Sequence, residues 1–160
     1  MSEVHHYAAR TVWTGAALGP TLTYDGYSRD YSVEIAGKTP LDCSADAVFR
    51  GDPDRHNPED MLVAALSACH MLTYLACCAR ARIAVVAYED AASGTMAMKD
   101  GRMRFTEVVL RPRVTLAEGA NVERARRLHA TAHDTCFIAC SVNFPVRHEA
   151  EVILGAPFGD

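Results

Sequence analysis

Asn57-Pro58-Glu59-Asp60-Met61-Leu62-Val63-Ala64-Ala65-Leu66-Ser67-Ala68-Cys69-His70 is the stretch on which the fold turns. It opens as helices open. The Asn57 side chain can accept from the first free N–H groups, and Pro58 lacks the N–H that the first helical position leaves unpaired. Asp60 stands three residues after Asn57, a weak version of the capping box. An uncharged apolar run then continues from Met61 to Ala79, so a helix is predicted from Pro58 to about Arg82. Leu62, Leu66, Cys69 and Thr73 recur at spacings of four, three and four and share one face.

That run is close to the length of a membrane span. Ser67, His70, Thr73 and Tyr74 interrupt it, alanine outnumbers leucine, and no Lys/Arg asymmetry brackets it. The reading is a central helix buried by sheet or by a second subunit, with no membrane partner.

Outward from the helix, Tyr7, Thr11, Val12 and Trp13 mark a first strand within 6–14, and Asp25-Gly26 a turn. Tyr31-Ser32-Val33-Glu34-Ile35 alternates as a half-buried strand does, and 43–57 reads as loop. Ile83–Tyr88 and Thr95–Met98 are predicted strands. Asp100-Gly101 is a hairpin signal. Met103–Leu116 is read as one long strand with an edge or bulge at Pro112. Asn121 caps a second helix, about Val122 to Thr135; a short helical piece covers Cys136–Ser141, and a last strand covers Val146–Leu154. Strands and helices do not alternate strictly. The class is therefore α+β with mainly antiparallel sheet, in one domain over 1–160.

The chain has 160 residues, 49% hydrophobic and 22% charged, with a net charge of −4. This is an ordinary globular composition, and its acidity argues against a nucleic-acid partner. Arg124, Arg126 and Arg127 cluster, but Glu123 and Asp134 flank them, as on a solvated helix face. The N-terminus, from Met1 to Tyr7, has no basic segment followed by an apolar one, so a cytoplasmic location is expected. Six cysteines in a reducing compartment are by default free thiols, with any disulfide transient. Cys69 on the central helix and Cys136 after the second helix are the parts of a two-cysteine redox site. Cys77 and Cys78 read as core, Cys43 as a loop thiol.

The segment Asn57 to His70, together with Cys136-Phe137-Ile138-Ala139-Cys140-Ser141-Val142-Asn143, resembles the two cysteine motifs of the OsmC/Ohr family, the osmotically inducible and organic hydroperoxide resistance proteins. The element order fits as well, over nearly the whole chain. The resemblance implies a thiol-dependent peroxidase acting on organic hydroperoxides, restored by a thiol or dithiol reductant. It also implies an antioxidant, stress-response role and an intertwined homodimer of OsmC-like fold. No cofactor is expected. By resemblance Cys69 is the peroxidatic cysteine, Cys136 the resolving one and Glu59 a site carboxylate. Arg50, in Phe49-Arg50-Gly51, matches the site arginine of one branch; Arg29, in Gly26-Tyr27-Ser28-Arg29-Asp30, matches that of the other. Phe137-Ile138 stands where better-known members have Pro-Val, Cys140 adds a third thiol, and His70 follows Cys69. These features place the chain in a side branch.

The chemistry sets its own demands. The thiolate is the nucleophile, and burial in an apolar helix works against it. Cys69 lies too far into its helix to gain from the N-terminal dipole, so it needs a cation such as Arg50 or Arg29. At about 1.5 Å rise per residue, Glu59 and Cys69 stand roughly 15 Å apart along one helix. Glu59 is therefore expected to serve the Cys69 of a second subunit. Leu66, Met71, Leu72 and Phe137 could line an apolar pocket or simply be core. A different function is zinc binding by His129, His133, Cys136 and Cys140, at helical spacings of four, three and four; a break near Cys136 would be needed to surround one ion. A third is a non-catalytic binding protein of the same fold.

Overall fold

The computed structural model describes residues 4–155. The N-terminal residues 1–3, part of the segment read for a leader, lie outside that range. The chain forms two compact units, one up to Met61 and the other from Leu62 on.

The first unit is a three-stranded antiparallel sheet in the order β1 (Arg10–Trp13), β2 (Tyr31–Glu34), β3 (Leu41–Cys43). Its third strand was not foreseen, because Leu41-Asp42-Cys43 is too short to alternate visibly. Beyond it the chain folds tightly. Asp46 accepts from Val48 N at 2.8 Å, Arg50 takes a left-handed conformation (φ 68°), and Gly51 packs against the Ala45 carbonyl. A Cβ on Gly51 would lie 1.6 Å from that oxygen, so only glycine fits.

Helix α1 (Pro58–Arg80) starts in this unit. Its cap is reciprocal: Asp60 N donates to Asn57 Oδ1 at 2.8 Å, and Asn57 N donates to Asp60 Oδ2 at 3.5 Å. At its other end Arg82 is left-handed (φ 58°). Ile83 N bonds Cys78 O at 2.9 Å and Arg82 N bonds Ala79 O at 3.0 Å, a Schellman ending with arginine in the position glycine favours.

The second unit continues with β4 (Val85–Asp90), β5 (Ser93–Lys99), β6 (Arg102–Leu110), β7 (Pro112–Leu116), α2 (Val122–Thr135), β8 (Val146–His148) and β9 (Glu151–Leu154). Asp100 and Gly101 make the predicted hairpin, both with positive φ. Two predicted strands are each broken in two. Met103–Leu116 separates at Arg111 into β6 and β7, and Val146–Leu154 separates into β8 and β9. The breaks fall side by side, because the two segments run parallel. β6 pairs with β8, and β7 with β9, so the sheets are mixed rather than simply antiparallel. Each half then closes its own sheet, β5-β6-β8 and β4-β7-β9. At the break Asp90 Oδ1 accepts from Arg111 N at 2.6 Å, and Glu149 accepts from Arg111 Nε at 3.1 Å. The architecture is α+β, as the sequence suggested.

Two apolar clusters hold this unit. Leu66 packs with Val108, Leu110 and Val146, while Tyr74 and Cys78 pack with Val114, Leu116, Ala125, Ala132 and Val152. The helix thus spans both sheets' cores.

Candidate functional site

The buried stripe of α1 is Leu66, His70, Tyr74 and Cys78, four residues apart throughout. It runs one step round from the face expected through Leu62, Leu66, Cys69 and Thr73. Cys69 therefore lies at the edge of the buried face, half-buried rather than enclosed. Thr73 Oγ1 donates to the Cys69 carbonyl at 2.8 Å, which fixes this turn. Ser67 Oγ donates to Asp90 Oδ2 at 2.6 Å and ties the helix to β4.

Cys136 is buried and ends α2, its N–H donating to His133 O. The same residue starts the next turn: its carbonyl accepts from Cys140 N at 2.9 Å, and the backbone N–H groups of Ala139 and Ile138 lie near its sulfur and favour the thiolate. The Cys69 thiol lies beside it, close enough to act on it. Burial pushes the Cys136 thiol up to about 11, and Cys69 beside it pushes the same way; the two N–H groups oppose but do not win. Cys136 is thus held protonated at neutral pH. Cys69 and Cys136, distant in sequence, meet.

Behind Cys69 the stripe carries an imidazole stack that sequence reasoning missed. His70 Nε2 and His129 Nδ1 share a hydrogen bond of 3.0 Å, and the Tyr74 ring stacks on His129 with centroids 3.8 Å apart. His148 flanks His70 and His129, and His133 flanks His148. Burial lowers His70 to about 4 and His129 to about 3; the neighbouring histidines add to this, while Asp90 works the other way on His70. His148 is lowered too, again by burial first. These rings are neutral. The outer atoms His70 Nδ1 and His129 Nε2 are buried without a hydrogen-bond partner. The signal was present as Leu66, His70, Tyr74 and Cys78 at steps of four, with His129 and His133 at a step of four on α2.

Among the described residues no three His, Cys, Asp or Glu side chains are grouped to hold a metal ion. The His129, His133, Cys136, Cys140 set does not assemble even though α2 ends at Thr135: His129 turns into the stack and Cys140 is exposed, its thiol facing Asp134 O at 3.6 Å. Of the apolar candidates, Leu66 is core, whereas Leu72 and Phe137 are largely exposed.

Glu59, Arg50 and Arg29 belong to the first unit. Arg29 donates to the carbonyls of Tyr27 and Tyr24 and lies over the Tyr27 ring, 3.8 Å from its centroid. Arg50 pairs with Asp25 at 3.0 Å and approaches the Tyr24 ring at 5.6 Å. The two alternative arginines are thus gathered around one aromatic residue, Tyr24. Glu59, in the first turn of α1, faces Tyr31. That phenol is raised by burial first, then by Cys43 and by Glu59.

The OsmC-like protein family model matches residues 51–151, which include both cysteines. The chain belongs to the OsmC-like family. This OsmC-like protein is 32% identical to an OsmC-like protein of unknown function from Vibrio cholerae O1 biovar eltor str. N16961, over 92% of this chain and all of that one, with a TM-score of 0.85. It shares its fold with an organic hydroperoxide resistance protein from Elizabethkingia anophelis (19% identity, 98% and 99% of the two chains, TM-score 0.68). It shares it also with one from Legionella pneumophila (16% identity, 97% and 100%, TM-score 0.67). No curated protein matches the sequence.

Proposed function

We propose that this OsmC-like protein is a thiol-dependent peroxidase that reduces organic hydroperoxides, with Cys69 as the attacking thiol and Cys136 as the resolving one. The observation that carries the reading is the contact between the two thiols. Their environments support the division of labour. Cys136, buried and held protonated, is a poor first nucleophile; Cys69 is the more accessible sulfur.

The Cys69 thiolate attacks the terminal peroxide oxygen. The O–O bond breaks, the alkoxide leaves and takes a proton to become an alcohol, and Cys69 is left as a sulfenic acid. The Cys136 sulfur then attacks Cys69, water leaves and a disulfide forms. An external dithiol, such as the cytoplasm supplies, donates two electrons and restores both thiols. The cation that favours the Cys69 thiolate is assigned to Arg50 or Arg29, and the carboxylate that orients it to Glu59.

A homodimer completes the reading. Most of α1 beyond Leu66, His70, Tyr74 and Cys78 is not buried within the chain, and it is long and apolar enough to call for a cover. A second copy laid antiparallel would provide that cover and would bring Glu59 to the partner's thiol. Peroxide consumption in the presence of dithiothreitol tests the function. Wild type should turn over, Cys69→Ser should be inactive, and Cys136→Ser, assayed without dithiothreitol, should consume one equivalent and stop at the sulfenic acid. Equal consumption by all three would refute the peroxidase and favour a non-catalytic binding member of the fold.

A further inference from the structure

Cys140 has no part in that cycle, yet it stands one turn from Cys136. Its N–H bonds the Cys136 carbonyl at 2.9 Å, which closes the turn between them. An i, i+4 turn of this kind holds the two Cα atoms about 6 Å apart, inside the range that a disulfide spans. The exposures differ sharply. Cys136 is buried and Cys69 half-buried, whereas Cys140 is exposed. A disulfide between Cys69 and Cys136 would offer little sulfur surface to a bulky protein reductant.

We propose that Cys140 is a third redox thiol, which takes Cys136 from the Cys69–Cys136 disulfide and carries the disulfide to the surface. The proposal rests on the peroxidase reading for the origin of that first disulfide. Cys140 loses its proton to water, and its thiolate attacks the Cys136 sulfur. The Cys136–Cys140 bond forms as the Cys69–Cys136 bond breaks. The electron pair leaves on Cys69, which is restored as a thiolate. The exchange neither oxidises nor reduces the protein overall; one hydroperoxide supplied the oxidation, and one dithiol later removes it. Cys136 caps the end of α2 and Cys140 lies in the turn that follows it, four residues on. The N–H groups of Ala139 and Ile138, already at the Cys136 sulfur, stabilise the negative charge that the three sulfurs share during exchange. The product lies at the exposed end of the turn, where disulfides are more easily reduced.

The test is disulfide mapping by mass spectrometry after acid quench and alkylation. Wild-type protein receives one equivalent of tert-butyl hydroperoxide or, in a parallel arm, of the thiol oxidant diamide. The expected wild-type product is Cys136–Cys140 with Cys69 alkylated. In Cys140→Ser, and likewise in Cys140→Ala, the product should be Cys69–Cys136. Turnover of these variants with a thioredoxin-type protein dithiol should fall about tenfold or more, and with dithiothreitol by much less. A wild-type product that remains Cys69–Cys136 in both arms would overturn the relay. Cys136–Cys140 formed with diamide but no reaction with the hydroperoxide would sink the peroxidase reading and leave the relay standing.

Discussion

Cys69 and His70 are consecutive on α1, yet the helix places them in different media. Cys69 lies half-buried at the edge of the buried face, beside a thiol from beyond α2. His70 points into the core, where its ring meets His129 and His148 and is sealed with them. Both positions gather polar groups from distant parts of the chain. At the first, the helix residue itself is partly exposed; at the second it is enclosed. The second spends its polarity internally, with the neutral rings of His70 and His129 stacked and hydrogen-bonded and their outer nitrogens, Nδ1 and Nε2, left without partners. The two neighbours differ first in burial.

The largest expected effect breaks the comparison on its reactive side. Cys69→Ser should lower hydroperoxide reduction by about a thousandfold or more, since a hydroxyl is a far weaker nucleophile than a thiolate; its unfolding midpoint should stay close to wild type because the site is only half-buried. On the sealed side, Leu66→Ala should cost about 3 kcal/mol in denaturant unfolding, because Leu66 is fully enclosed by Val108, Leu110 and Val146.

The stack also predicts an acid response. In the unfolded chain these histidines titrate near 6.5, whereas in the fold His70 titrates at about 4 and His129 at about 3. Between those values the unfolded state binds more protons. Stability is therefore full above about pH 6.5, falls as pH drops below it, and levels off once the folded rings also protonate. The loss should reach a few kcal/mol by pH 4. Urea unfolding across that range should show a slope that flattens in His70→Leu/His129→Leu. A smaller effect sharpens the picture at the helix start: Asn57→Ala should cost about 1 kcal/mol in the same assay through loss of the reciprocal cap.

What could be read in the sequence divides along the same physical line. The helix ends were legible because caps are local: Asn57 and Asn121 each have their acceptor three residues from its donor. The hairpin at Asp100-Gly101 was legible for the same reason. The orientation of α1 was read one residue off, because its alanines, cysteines and small polar residues surround the helix almost evenly and mark no clear face. Nothing near Arg111 or Glu149 states that β6 and β7 join different sheets, since that break depends on parallel neighbours tens of residues away. The imidazole stack left only partial signals, the steps of four on α1 and on α2; that they meet, with His148 from a third element, depends on the tertiary fold. The meeting of Cys69 and Cys136 depends on equally distant parts of the chain; it was anticipated only through the family resemblance and the pairing of thiols.

The central claim is that these two thiols form one redox centre. Its most direct measurement uses Cys140→Ser protein, in which no further exchange along the turn can occur. After one equivalent of tert-butyl hydroperoxide and rapid alkylation, peptide mapping should find Cys69 and Cys136 joined and Cys43, Cys77 and Cys78 alkylated. Hydroperoxide consumed with Cys69 and Cys136 both alkylated, or oxidation located at the other cysteines, would contradict the account.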